Sequence, residues 1–192
     1  MELNSSGFWH LFHIHISDGY KGYNFLQLNP EHLTFLQDDD RRALDALGFA
    51  AREDRQFHFI NRNYANFDDF LASLSSRKRK NIRKERIAAQ DGVTIKRLIG
   101  DDLKDEHWDL FYQCYLDTGT RKWGRPYLTR RFFDYMQQTM RDDICLVMAS
   151  IDGDNIAAAL NYIGSDALYG RNWGALIHKP FLHFELCYYQ AI

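Results

Sequence analysis

Between residues 66 and 74 the apolar positions Phe67, Phe70, Leu71 and Leu74 fall at i, i+3, i+4 and i+7, the spacing of a helix that buries one face. Asn66 stands before them as an N-cap, and Asp68 and Asp69 suit the positive end of the helix dipole. Extending that stripe would bury Lys78, so the helix breaks near Ser75-Ser76; a second helix starts there and ends near Gln90-Asp91-Gly92. Val93 to Ile99 reads as a strand with Val93, Ile95, Arg97 and Ile99 on one face. Helical spacing returns through Leu103, Trp108, Phe111, Tyr112, Tyr115 and Leu116, ending at Gly119. It returns again after Thr129, with Phe132, Phe133, Met136 and Met140 on one side. Ile144 to Ile151, Ile156 to Ile163 and Ala167 to Trp173 are short apolar runs separated by Asp152-Gly153-Asp154 and Gly164-Ser165-Asp166, the pattern of an antiparallel meander. Pro180 suits the first position of a last helix, apolar nearly all round and uncapped up to Ile192.

The N-terminal third is less regular. Phe8 to Ile16 has strand composition with His10, His13 and His15 inside it, and Gly19, Gly22 and Asn24 then mark a turn-rich stretch. His13 and His15 share a face of such a strand, yet two histidines without a third ligand are an ordinary strand feature, and no metal is expected. His32 to Leu36 reads as a short strand. Asp38-Asp39-Asp40 then open a helix with Leu44 and Leu47 on one side and Gly48 at its C-terminal cap. Phe49 to Ala51 and Gln56 to Ile60 follow as two strands joined by a charged turn.

Composition narrows the class. With 26% charged and 45% apolar residues the 192-residue chain is neither disordered, collagenous nor coiled-coil. Its apolar stretches are short, Ile144 to Ile151 with Ser150 inside it spanning eight residues, against the roughly 18 of a membrane span. Met1-Glu2-Leu3-Asn4 lacks the basic start of a secretory signal. Cys114, Cys145 and Cys187 fit neither a disulfide framework nor a metal knuckle. A cytoplasmic protein is the expectation. The net charge of −2 conceals an uneven distribution: residues 77–86 hold seven cations and one acid, a +6 segment on an otherwise acidic body.

From residue 93 the order strand, helix, helix, three antiparallel strands, helix resembles the first half of the GNAT acyltransferase fold, and residues 32–60 resemble the last half of such a domain. Several longer motifs stand out: Gln56-Phe57-His58, Phe67 to Leu71, the basic run from Ser75 to Arg86, and Asp117-Thr118-Gly119 with Lys122-Trp123-Gly124. Tyr169-Gly170-Arg171 and His183 to Gln190 complete the set. On these the chain resembles the FemAB-like proteins, GNAT-superfamily relatives of the Fem peptidoglycan aminoacyltransferases. The resemblance implies an α+β fold with a mixed sheet and flanking helices, made of parts of two tandem GNAT-like domains. Residues 1–65 would belong to the first (1–30 unassigned), 66–91 to basic connecting helices, and 92–192 to the second, apparently truncated. Two incomplete half-domains would expose apolar faces, so self-association is expected of such a fragment.

The resemblance also implies acyl or aminoacyl transfer to an amine, in cell-wall precursor metabolism. The alternative is a non-catalytic module that binds a peptidoglycan precursor or another polyanion. Acetyl-CoA or another acyl donor would be used; the stretch Gly174 to Pro180 lacks the Arg/Gln-x-x-Gly-x-Gly/Ala pattern with which GNAT enzymes cradle the coenzyme A pyrophosphate, which puts acetyl-CoA in doubt. The acceptor would be a small molecule or muropeptide-like substrate. Glu185 and His183 are the candidate acid–base groups, although two positions apart on a regular helix they point about 200° away from each other. An unpaired carboxylate in an apolar helix is costly, so Glu185 is expected to pair with Arg171 on the preceding strand. Arg171, Trp123, Lys122 and Tyr188 are candidate substrate contacts, with Trp123 in a loop that borders the acceptor site in GNAT folds. Arg77, Lys80, Arg83 and Lys84 are candidate contacts for phosphate or a polyanion, aminoacyl-tRNA among them. His183 and Cys187 share a helix face, but no third partner for a nucleophilic or metal site is visible, and Cys187 reads as a small buried apolar residue.

Overall fold

The computed structural model describes residues 12–15 (backbone), 38–49, 51, 57–121 and 126–192. In chain order the elements are β1 (Phe12–His15), α1 (Asp38–Ala46), β2 (Phe57–Ile60), α2 (Phe67–Ala72), α3 (Ser76–Gln90) and β3 (Thr94–Ile99). There follow α4 (Asp105–Arg121), α5 (Arg130–Met140), β4 (Ile144–Ile151), β5 (Asp154–Ile163), β6 (Ala167–Ala175) and α6 (Leu182–Phe184), which passes into a π-turn over Glu185–Tyr189. Residues 18–56 form one compact unit, and residues 1–17 with 57–192 form another.

In the first unit, α1 ends as its sequence predicts. Gly48, at φ 84°, donates to Asp45 O at 3.1 Å, and Phe49 N reaches back to Leu44 O at 3.1 Å. This left-handed cap satisfies two carbonyls of the last turn. Phe49 therefore belongs to the cap and, like Ala51, lies in no strand. The strand expected at residues 32–36 lies outside the described residues.

The larger unit is built on a six-stranded sheet in the order β2-β1-β6-β5-β4-β3. β1 and β2 run parallel, and every other neighbouring pair is antiparallel. This is the expected α+β arrangement: an antiparallel four-strand meander, β3 to β6, with helices on its faces. Asp152 and Gly153 both take positive φ, 52° and 92°, the mirror-image turn whose twist matches a tight hairpin. α4 and α5 cover one face, where Trp108, Phe111 and Phe133 are wholly buried against Leu146, Ala158 and Leu160. Each such side chain contributes roughly 1.5–3 kcal/mol by leaving water. The opposite face, with Val147, Ala157, Ala159 and Trp173, is covered by the last helix through Leu182 and Leu186.

α2 is capped by Asn66, which accepts from Asp69 N at 3.0 Å, and α3 starts afresh at Ser76. The last helix differs from its expected form. Pro180 precedes it, Phe181 takes a left-handed φ of 63°, and after one α-turn the ladder widens so that Gln190 N bonds Glu185 O at 2.9 Å.

Candidate functional site

β6 carries a bulge at Arg171. In the β5–β6 ladder Leu160 faces Asn172 and Asn161 faces Gly170, so Arg171 is an extra residue. Leu168 packs on the face of the last helix, and so do Trp173 and Ala175, a change of parity that only an inserted residue allows. The bulge sends the Arg171 guanidinium to the α4–α5 side, where its Nη2 donates to the Tyr127 hydroxyl at 3.2 Å. Tyr127 is held in turn: the Tyr115 hydroxyl accepts from Tyr127 N at 3.1 Å and from Leu128 N at 3.2 Å. Burial raises the pKa of Tyr115 and pushes Tyr162 up to about 12, with the Arg171 charge opposing both.

The C-terminal half of β6 is clamped by α4. A Cβ on Gly174 would lie 2.3 Å from Cys114 O, so glycine alone lets the helix sit this close. Thr118 Oγ1 donates to Trp173 O at 3.2 Å, and Arg121, ion-paired with Asp117, donates to Ala175 O at 3.2 Å. The Asp117-Thr118-Gly119 motif is thus a strand-clamping element. Lys122 and Trp123 lie outside the described residues.

Glu185 does not pair with Arg171. Its carboxylate, fully buried, faces α3, where Arg86 forks onto both oxygens, Nε to Oε2 at 3.0 Å and Nη2 to Oε1 at 2.9 Å. Gln90 and Gln190 each add a bond of 2.7 Å to Oε1. The Arg86 guanidinium also lies 4.0 Å from the centre of the Phe67 ring and 5.9 Å from that of Tyr189, which meets Phe67 edge-on. The physical reason for the difference is the bulge: Arg171 faces the α4–α5 layer, while Glu185 belongs to the layer of the last helix. His183 stacks on Trp173 with ring centres 4.7 Å apart and meets the edge of Tyr188 at 5.6 Å. Burial holds the Cys187 thiol protonated and raises the Tyr188 pKa.

The cations of α3 divide by face. Arg79 Nη1 reaches the carbonyls of Leu71, Ala72 and Leu74 at 3.3–3.5 Å, and Arg83 pairs with Asp68 at 3.2 Å. Arg77, Lys80 and Lys84, spaced three and four apart, form one exposed stripe. Arg86, Gln90, Gln190, Tyr115 and Tyr127 were not foreseen as site residues. For Arg86 a signal exists: it shares a helix face with Ile82 and Ala89, the inward face of α3.

The described side chains offer a guanidinium–phenol pair beside a bulged strand on one face, and a saturated buried ion pair with stacked aromatics on the other. Among the described residues no three His, Cys, Asp or Glu side chains gather as a metal site requires, and no helix is long and apolar enough to cross a membrane. No curated protein matches the chain. The family model described as FemAB-like, peptidoglycan biosynthesis/recognition, matches residues 20–192, which include the bulged β6 and the Arg86–Glu185 pair. The chain belongs to the FemAB-like family, associated with peptidoglycan biosynthesis and recognition, and that membership implies a GNAT-like fold.

Proposed function

We propose that the protein is an N-acyltransferase that moves an acyl or aminoacyl group to an amine on a cell-wall precursor, and that the chemistry takes place at the bulged part of β6. The observation that carries this reading is the Arg171 bulge. A bulge leaves the backbone N–H of the extra residue outside the regular ladder, and a fixed N–H suits the oxyanion that forms when an amine attacks an acyl carbon, while the Arg171 guanidinium is left to hold the acceptor. The amine nitrogen bonds to the carbonyl carbon, the carbonyl electrons move onto oxygen, and collapse expels the donor's thiol or hydroxyl while the amine loses a proton. That proton passes to the departing thiolate or alkoxide; His183, stacked on Trp173 across the sheet from Arg171, is assigned no part in the step. Glu185, with both oxygens engaged by Arg86, Gln90 and Gln190, serves as a strut. We read residues 92–192 as the head of a second GNAT-like domain and residues 32–60 as part of the tail of a first, with basic helices between them.

The donor in this reading does not depend on a pyrophosphate cradle at residues 174–180. Lys179 is engaged with Asp91 O at 2.6 Å, and the α-turn that follows has only three residues. Thermal-shift titration with acetyl-CoA, free coenzyme A and a UDP-linked muropeptide tests this: the muropeptide should stabilise the chain and coenzyme A should not. Stabilisation by coenzyme A alone would overturn the assignment of the donor.

A second reading, a precursor- or polyanion-binding module, is favoured by the exposed stripe of Arg77, Lys80 and Lys84. Its polyanion affinity would fall steeply between about 50 mM and about 200 mM salt. A salt-independent affinity would remove it.

A further inference from the structure

We propose that Arg171 and Tyr127 form a carboxylate subsite, so that the acceptor is an amine-bearing molecule with a free carboxylate, of the amino-acid or peptide class; the word acceptor rests on the acyltransferase reading, the subsite does not. The argument begins with charge. Arg86, Arg121 and Arg130 each meet a carboxylate: Glu185, Asp117, and Asp109 with Asp134. Arg171 is only partly exposed, and its one hydrogen bond among the described residues goes to a neutral phenol. A guanidinium carries five N–H donors, so most of this fork is left for another acceptor, and no described acid balances its charge. A partly exposed guanidinium whose remaining donors meet no described acid suits an anionic ligand.

The phenol adds the second half. Tyr127 Oη accepts from Arg171, which leaves its own O–H to donate. An N–H from Arg171 and the O–H from Tyr127 can each take one oxygen of a carboxylate. Tyr127 is 52% exposed, so the pair is reachable from solvent. Both residues are also held in place before any ligand arrives. Tyr115 ties the backbone at Tyr127 and Leu128, and α4 pins β6 through Gly174, Thr118 and Arg121. Groups already held in the binding geometry lose little freedom on binding.

The chemistry favours a carboxylate over a phosphate. One planar guanidinium and one hydroxyl match a planar monoanion with two oxygens. Phosphate sites gather several cations or a fan of backbone amides at a helix start, and Lys179 of the following loop is engaged with Asp91 O.

The test is calorimetric titration of the full chain with lysyl-alanine and with its C-terminal amide, with inorganic phosphate as competitor. The carboxylate form should bind at least about tenfold more tightly than the amide, the value of one charge-assisted pair. Arg171→Met should reduce that ratio to about one, Arg171→Lys should keep a small part of it, and Tyr127→Phe should lower it by about threefold, with unchanged circular dichroism for each. Arg171→Lys and Tyr127→Phe keep the test open should the methionine variant fail to fold. Equal affinity for the two peptides, no binding of either, or stronger binding of phosphate than of the dipeptide would each overturn the subsite. Acyl transfer is scored separately. Carboxylate preference without transfer removes the acyltransferase reading and leaves the subsite; transfer to the amide as fast as to the acid does the reverse.

Discussion

At the scale of single residues, the Arg86–Glu185 pair sets a large stability effect. A buried ion pair adds little net stability over a well-packed apolar pair, yet removing one partner strands the other. Glu185→Ala should therefore destabilise the chain by about 3–5 kcal/mol in urea titration. Arg86→Met with Glu185→Leu should recover most of that loss, and a double variant no more stable than Glu185→Ala would contradict a strut role. Lysine at position 86 should rescue poorly, because it lacks the fork that spans both oxygens. Buried acids set a second prediction. Burial pushes Cys114 from 9.0 to about 11 and Tyr162 from 10.0 to about 12. The native state keeps these protons where the unfolded chain releases them, so the unfolded chain gains as pH rises. Stability is complete below about pH 9 and declines from there to about pH 12. Urea midpoints at about pH 8 and about pH 11 should fall in that order, and Tyr162→Phe should lessen the drop. The sequence exposed Glu185 as a carboxylate in need of a partner but not which partner. Parity counted back from Trp173 puts Arg171 on the wrong face, because one inserted residue reverses every position beyond it.

At the scale of elements, period and caps carried most of the structure. Asn66, Gly48, Gly92 and Asp152-Gly153 are local devices whose geometry follows from the residue itself, and all four stand at the element ends they mark. The bulge in β6 and the π-turn from Glu185 are set by what packs against them, α4 and α3, so no local pattern announces them. Two glycines separate the kinds of constraint. At Gly92, φ is 68° and no atom lies within 4 Å of an added Cβ, so Gly92→Ala should cost about 1–2 kcal/mol through backbone strain alone. At Gly174 the added Cβ would meet a backbone carbonyl that no side-chain motion can move aside. Gly174→Ala should cost about 1–3 kcal/mol or more and should also loosen Arg171, since α4 would have to retreat from β6. Equal stability of wild type and Gly174→Ala in thermal melts would refute the clamp.

At the scale of the whole molecule, the sheet separates two kinds of polar chemistry. The α4–α5 side presents Arg171 and Tyr127, partly exposed and short of acids; the side of the last helix hides a saturated ion pair among aromatics. The basic run, legible in the sequence as a charge anomaly, divides once folded into cations that bind the protein itself, Arg79, Arg83 and Arg86, and an outward stripe of Arg77, Lys80 and Lys84. Replacing the stripe by three alanines should change stability by less than about 0.5 kcal/mol per site while flattening any salt-dependent affinity for polyanions. A loss of folding would show that these cations, too, serve the fold. The family of the chain was legible because its motifs are long runs; Arg171 was legible as a candidate substrate contact, but the face of the sheet it takes was not, because that depends on the β6 bulge. The measurement that tests the central claim most directly is mass spectrometry of a UDP-linked muropeptide incubated with the full chain and either acetyl-CoA or aminoacyl-tRNA, for the wild type and for Arg171→Ala. The account predicts that the mass of one acyl or aminoacyl group is added to the acceptor by the wild type and at least about a hundredfold more slowly by the variant. No added mass with either donor, or undiminished transfer by Arg171→Ala, would contradict it.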